Sequence, residues 1–349
     1  MHKIYYDFLV FIGRFQPFHN GHREIISRAL KLANNVIILC GSAKQPRSIR
    51  NPWLAQEREI MIRSSFSDLD NQRILISPLA DNLYNDALWI NDIKNTVTRL
   101  TYKHYNKFDN TPRIGLIGHS KDQTSYYLNL FSEWCSENVE NYHNINATSI
   151  REQLFSSPSN IDDIKQLVPE SVYNYLRSFV RSKDFILLRE EYNFIKEYKE
   201  SWRLAPYAPI LVTVDALVVH SNKVLLVKRS SSPGKGLWAL PGGFVEQNEN
   251  LFDACVRELI EETKVSVSLS VLKNSLITGK VFDDPNRSLR VRTMTHVFYI
   301  KLQDSMALPI VQGSDDAEEA IWRKLDNISS TDMAEDHYFI IQNLLNENK

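Results

Sequence analysis

A parallel, doubly wound α/β domain followed by an α+β domain is the fold class this sequence predicts, and three observations predict it. Short apolar runs alternate with helix-period segments through the first 120 residues. From residue 182 a charged, aromatic stretch interrupts that pattern and leads to two prolines, Pro206 and Pro209. Beyond it the chain turns to β-branched runs with turn signals between them.

The elements follow in order. The run FLVFIG at 8–13 predicts the first strand and the periodicity over 22–33 the first helix; VIILCGS at 36–42 is followed by helix period over 53–65. ILISPL at 74–79 leads to helix period over 87–100, and RIGLIG at 113–118 predicts a further strand. In a sheet of this kind ligands bind beyond the carboxyl ends of the strands, where Gly13, Gly41 and Gly118 fall. FILLREEYNFIKEYKESW then reads as helix and RLAPYAPI as a linker. ILVTVDALVVHSNKVLLVKRS predicts two paired strands turning at Ser221 and Asn222. The expected organisation is residues 1–181, a helical linker at 182–206, and residues 207–349.

A length of 349 residues allows two domains, each with its own core. With 41 basic and 42 acidic side chains no global field recruits nucleic acid or an anionic membrane. Cys40, Cys135 and Cys255 are odd in number and widely separated, against a disulfide framework or a zinc knuckle; all three read as core or helix residues. No apolar leader or membrane-length run is seen, so a cytoplasmic location is expected.

The stretch GRFQPFHNGH, residues 13–22, carries the first chemistry. Gly13 lets a phosphate approach the backbone, and the following helix start offers free N–H groups and a positive dipole end. His19 and His22, one turn apart, can both face that anion, and Arg14 adds a fixed positive charge. On these residues the chain resembles the nucleotidyltransferases with an H-x-G-H motif, in their nicotinamide mononucleotide (NMN) adenylyltransferase branch. NPWLAQEREIMI at 51–62 and INATSIREQL at 145–154 resemble two further motifs of the archaeal-type enzymes. In the second, Asn146 and Ala147 stand where serines are usual, leaving Thr148 and Arg151 as the matching positions.

The resemblance implies a Rossmann-like domain that joins ATP and NMN into NAD and pyrophosphate. His19 and His22 would contact the triphosphate, Arg14 and Arg151 would neutralise it, and Thr148 would donate from a helix start. Gly13, Phe15, Gly41 and Asn51 would lie along the nucleotide, and Mg2+ would bridge its phosphates. GHSKDQTSYYL, with Gly118, Lys121 and Asp122, would line the adenosine side. Trp89 would stack on the nicotinamide ring with Asp81 and Asn85 nearby; Trp89 as a core residue is the competing reading. Such a transfer needs positioning and cations rather than a nucleophile.

GGFVEQNENLFDACVRELIEETKV, residues 242–265, is the most specific string in the chain. Glu258, Glu261 and Glu262 at i, i+3 and i+4 crowd one helix face, and a divalent cation is the economical explanation. The spacing from Gly243 through Glu249 to Arg257 and these glutamates resembles the Nudix box, with Lys264 where glycine is usual. By that resemblance an α+β Nudix domain hydrolyses a nucleoside diphosphate derivative with Mg2+, or alternatively Mn2+. Glu258, Glu261 and Glu262, with Gly243, would make the metal site, Glu261 and Glu262 taking part in catalysis. Glu249 and Arg257 would brace the loop and helix. A general base is expected from GSDDAEEAIW at 313–322.

FDDPNRSLRVRTMTHVFYI resembles the D-P-x-R region of Nudix proteins acting on ADP-ribose, which implies substrate contacts from Asp284 and Arg287; an ordinary turn is the other reading. Together the two resemblances imply a bifunctional enzyme of NAD metabolism that also cleaves ADP-ribose to AMP and ribose 5-phosphate. Its partners would be ATP, NMN, NAD and ADP-ribose, without nucleic acid or membrane, and a homo-oligomer stays open. Two alternatives remain for the second domain: cleavage of another nucleoside diphosphate derivative, and a non-catalytic ADP-ribose or NAD sensor.

Overall fold

Apolar runs that stay buried on both faces make central parallel strands, and β1 (Tyr6–Gly13) shows why: Phe8 through Ile12 are all buried. The computed structural model describes residues 4–105, 111–118, 130–139, 143 and 145–348. Two compact units divide the chain, Met1–Arg189 and Glu190–Lys349.

In the first unit β1 is followed by β2 (Ala33–Cys40), β3 (Ile74–Pro78), β4 (Ile114–Gly118) and β5 (Cys135–Asn138). All pair in parallel, in the order β3-β2-β1-β4-β5. The chain thus winds outward from β1 and then crosses to its other side, leaving a switch point at the carboxyl ends of β1 and β4. The doubly wound expectation holds. β5 was not expected, because CSEN is a short, mostly exposed edge without an apolar run. It also carries Cys135, which is exposed rather than in a core or helix.

The helices of this unit are α1 (Asn20–Leu32), α2 (Ala55–Arg63), the short α3 (Asp68–Asn71), α4 (Asp86–His104), α5 (Ala147–Ser156) and α6 (Glu170–Phe179). Ile93, Val97 and Leu100 of α4, spaced by one helical turn, pack on Phe8, Val10, Ile12, Ile37 and Leu39 of the sheet. Each such burial stabilises by about 1.5–3 kcal/mol. The charged, aromatic stretch becomes α7 (Lys183–Ser201), and the division between units falls inside it.

The second unit contains β6 (Ile210–His220), β7 (Lys223–Arg229), β8 (Trp238–Ala239), β9 (Gly242–Phe244), α8 (Leu251–Thr263), α9 (Leu269–Asn274), β10 (Leu276–Phe282), β11 (Arg292–Lys301), β12 (Ala317–Lys324) and α10 (His337–Glu347). Its mixed sheet runs β10-β11-β6-β7-β12, with β8 on β7 and β9 on β6; β6 and β11 are parallel and the other pairs antiparallel. The β6–β7 hairpin turns on Ser221 (φ 45°) and Asn222 (φ 60°), both left-handed as a two-residue hairpin of this hand requires. Ala254, Cys255, Val256 and Leu259 of α8 pack on Val214, Ala216, Val218 and Phe298. Among the described residues no helix is long and apolar enough to cross a membrane.

Candidate functional site

In the first unit the loop from β1 to α1 builds the site. His19 is the N-cap of α1, and its ring accepts from the His22 N–H while the His22 Nδ1 accepts from the His19 N–H, both at 3.4 Å. Since each Nδ1 is an acceptor, a neutral ring at either position carries its proton on Nε2. The rings stack with centroids 3.6 Å apart. A methyl group at Gly21 would come within 3.0 Å of the His19 ring, which is why glycine stands between the histidines. Phe15, at φ 53°, folds its ring back against Gly13 and edge-on to His22, 4.9 Å between centroids; it is buried packing behind the histidines.

Two buried arginines hold this loop from behind. Arg58 of α2 is fully buried and donates to the carbonyls of Arg14 and Gly41 at 2.6 Å each, and to Ser42 O at 3.3 Å. Arg151 of α5 donates to Gln16 O at 2.6 Å and to the Thr148 hydroxyl oxygen at 3.3 Å. Gln16 in turn pairs with both backbone groups of Trp53, at 2.8 and 3.0 Å. With the carbonyls of residues 14, 16 and 41 engaged, the ends of β1 and β2 are fixed. Gly41 N–H donates to Gly13 O at 2.9 Å, and Ser42 N–H to Asp81 at 3.1 Å.

Cations accumulate here. Burial, then the charges of Arg14 and Arg50, bring the Arg151 pKa down to about 10. Loss of hydration lowers those of Arg14 and Arg58 as well, with Asp81 opposing both. A cluster of guanidinium groups that weaken one another is an anion site. Arg58, Arg50 and Gln16 escaped the sequence reading as site residues, although Arg58 lies inside the NPWLAQEREIMI segment. No composition signal separates a guanidinium aimed at backbone from one aimed at solvent.

The remaining residues of this unit are spread along the strand ends. Asn51 has a buried Oδ1 with no hydrogen-bond partner among the described residues. Asn85 caps α4 by accepting from the Leu88 N–H at 3.1 Å. Trp89 is half-buried, packing on the sheet core and 6.5 Å from Phe131. Asn146, in place of the usual serine, is the N-cap of α5, accepting from Ser149 N–H at 2.8 Å, and Thr148 is exposed beside it. Gly118 ends β4; Lys121 and Asp122 lie outside the described residues.

In the second unit, Gly243 of β9 lies against Glu258: a methyl group there would fall 2.5 Å from its carboxylate. Glu262 is buried and accepts from the Gly242 N–H at 2.9 Å. Burial and the neighbouring Glu258 push the Glu262 pKa up to about 8, against the pull of the Gly242 bond; burial also raises that of Glu258, with Glu261 and Asp315 adding to it. Arg257 holds Glu249 through two bonds at 3.0 and 2.7 Å, Glu258 at 2.8 Å and Glu261 at 3.0 Å. Among the described residues no three such side chains converge on one point as metal ligands; the carboxylates turn to Arg257 and to backbone instead. Their chemistry nonetheless fits a hard divalent cation: clustered carboxylate oxygens, one with its pKa raised first by burial and then by a neighbouring carboxylate.

Lys264, where the box usually has glycine, sits at φ 47° as the left-handed C-cap of α8. Gly243, Arg257, Glu258, Glu261 and Glu262 line a cavity of about 350 Å³, together with Arg229, Arg287, Arg290, Asp315, Asp316 and Glu335 among others. Arg287 is buried in a two-bond pair with Asp336, 3.0 Å each, and Asp284 makes a turn by accepting from Asn286 N–H at 2.7 Å. Asp336 is 49 residues away in sequence, so no local pattern announces that pairing.

Comparison with known proteins places both regions. Residues 10–195 match the Cytidylyltransferase-like family and residues 209–344 the NUDIX domain. The chain is 38% identical over 188 residues to a nicotinamide/nicotinic acid mononucleotide adenylyltransferase of Acinetobacter baylyi, covering 54% of this chain and 94% of that protein. It is 36% identical over 134 residues to an ADP-ribose pyrophosphatase of Methanocaldococcus jannaschii, covering 38% of this chain and 72% of that protein. A crystal structure of a bifunctional NMN adenylyltransferase/ADP ribose pyrophosphatase from Francisella tularensis, complexed with AMP and Mn ion, superposes with a TM-score of 0.90 at 37% identity, covering 99% of this chain and 100% of that one.

Proposed function

From a chain that belongs to the bifunctional NMN adenylyltransferase/ADP-ribose pyrophosphatase family, cytidylyltransferase-like in its first part and NUDIX in its second, we propose an assignment of residues to its two reactions. The first unit transfers AMP from ATP to NMN, giving NAD and pyrophosphate, and the second hydrolyses ADP-ribose to AMP and ribose 5-phosphate with a divalent cation. The identity of that cation as Mg2+ is part of the proposal.

For adenylyl transfer the supporting observation is the paired histidine cap beside the arginine cluster. His19 and His22 donate through Nε2–H to phosphate oxygens, and Arg14 and Arg151 neutralise the charge that builds on them. The α1 N-terminus supplies its dipole at the same place. Trp89 and Asn85 lie on the NMN side.

For hydrolysis the supporting observation is the backbone cradle of Gly242 and Gly243 around Glu262 and Glu258. Those two carboxylates and Glu261 would hold the cation, which when bound polarises the pyrophosphate and acidifies water. Arg257 holds the unused carboxylate orientations in check, and Asp315, whose charge reaches Glu258, would accept the proton of the attacking water.

The test is to incubate the purified chain with Mg2+ and either ATP plus NMN, or ADP-ribose, NADH or diadenosine compounds, and to identify products by chromatography. NAD from the first mixture, and AMP with ribose 5-phosphate from ADP-ribose alone, are expected. No product from any diphosphate would make the second unit a sensor.

A further inference from the structure

The cavity of the second unit has a wall that the hydrolysis does not use. On it, Glu335 stands at φ 43°, a left-handed backbone that costs a non-glycine residue. Its neighbours pin it there: Ala334 N–H donates to Trp238 O at 2.7 Å, and Asp336 is tied to Arg287. Glu335 Oε1 is buried with no hydrogen-bond partner among the described residues, and so is Arg290 Nε on the same cavity. The Arg290 guanidinium lies 5.2 Å over the Phe244 ring and 5.8 Å over Tyr198. Glu335 acts electrostatically on Arg290 and Arg287, whereas the main influences on Glu258 and Glu262 come from other groups.

Resting on the reading of this unit as an ADP-ribose hydrolase, we propose that Glu335 and Arg290 form a nucleobase subsite for the amino edge of adenine. Glu335 accepts from the exocyclic amine, Arg290 donates to the adjacent ring nitrogen, and Phe244 offers its face to the ring.

The donor inventory narrows the ligand. An ionised carboxylate only accepts and a guanidinium only donates, so the pair suits a neutral group with a donor beside an acceptor. A phosphate would meet repulsion from Glu335 and belongs with the cation. A ribose diol offers donor and acceptor too, but has no flat face for Phe244, which lines the cavity and is 38% exposed. Strain held at a residue whose buried Oε1 has no hydrogen-bond partner among the described residues is where recognition is expected.

The experiment compares ADP-ribose with its hypoxanthine analogue, in which the exocyclic amine becomes a carbonyl, on the full chain and its Glu335→Gln variant. The wild type should favour ADP-ribose by about tenfold or more, mostly in KM, because a carboxylate facing a carbonyl is left unpaired. Glu335→Gln, whose amide both donates and accepts, should bring that preference within about twofold and raise KM for ADP-ribose more than it lowers kcat. Should the variant misfold, Arg290→Lys, which keeps charge but not the flat multi-donor head, should show the same loss of preference. An unchanged preference in the variants, or a fall in kcat that is equal for both substrates, overturns the subsite. So does indifference of the Glu335→Gln variant to removal of a terminal ribose hydroxyl that the wild type requires, which would mean that the pair reads ribose. If the wild type cleaves neither compound, the hydrolase reading fails, and equilibrium binding of the same two compounds decides the subsite: an adenine preference lost in Glu335→Gln supports it, and one that persists refutes it.

Discussion

The two sites are electrostatic opposites built by the same device. In the first unit, arginines converge on strand ends, where burial and then one another's charge lower their pKa; in the second, glutamates converge on one helix face, where burial and then neighbouring carboxylates raise theirs. Each crowd of like charge is held by backbone: carbonyls of residues 14, 16 and 41 for the arginines, the Gly242 N–H for Glu262. The difference lies in what must arrive. The first cradle presents cations and N–H donors to a polyphosphate, whereas the second presents oxygens, so a cation has to come between it and a diphosphate.

The sharpest way to break this comparison is a double dissociation. Glu262→Gln should cut ADP-ribose hydrolysis by about 10²-fold or more while NAD synthesis stays within about twofold, and His22→Ala should do the reverse. Product chromatography on the two variants decides it: loss of both reactions in either folded variant would end the claim of separate machinery.

Arg58→Met comes next. It leaves the carbonyls of Arg14 and Gly41 buried without a donor, which should cost about 1–3 kcal/mol of stability and, by releasing the loop, about tenfold or more of adenylyl transfer. Denaturation curves and initial rates read the two effects, with ADP-ribose hydrolysis as the internal control. Unchanged synthesis would mean that the loop holds itself.

Protonation tests the carboxylate site, where burial and then the neighbouring Glu258 push the Glu262 pKa up to about 8. Cation binding needs Glu262 ionised, so with its pKa at about 8 the apparent affinity should fall about tenfold per pH unit below that value, measured by calorimetry. The sign for stability follows from the same shift. A carboxyl raised in the folded state binds more protons there than when unfolded, so the cation-free unit loses stability as pH rises from 4.5 toward 8. A pH-independent affinity would place Glu262 outside the ligand set.

Two smaller effects test single positions. Trp89→Ala should raise KM for NMN about fivefold or more and that for ATP much less, because stacking concerns one substrate; equal changes would make it a core residue only. Lys264→Gly relieves a left-handed side chain and should stabilise the second unit by up to about 1 kcal/mol, with hydrolysis unaltered. Thermal unfolding checks it, and a destabilised variant would show that the lysine contributes more than its strain costs.

Periodicity, strand-end glycines and the two motif strings are local properties of the chain, and they determined the parallel sheet, the β6–β7 hairpin, the histidine pair and the three glutamates on one helix face. The spacing of His19 and His22 already implies the reciprocal cap, since N-cap and N3 are three apart by helix geometry. The tertiary structure alone decided which charges meet. Arg58 was legible as part of a motif but not as a clamp, because its acceptors are backbone atoms 44 and 17 residues away. Arg287 is legible in the D-P-x-R segment, but its buried ion pair with Asp336, brought up by the chain before α10, is not. Glu335 has no motif at all; its significance lies in a left-handed backbone pinned at both neighbours and in an oxygen left without a partner. Sequence encodes such features only through long-range packing, and burial together with the partners present sets what a charged group can do.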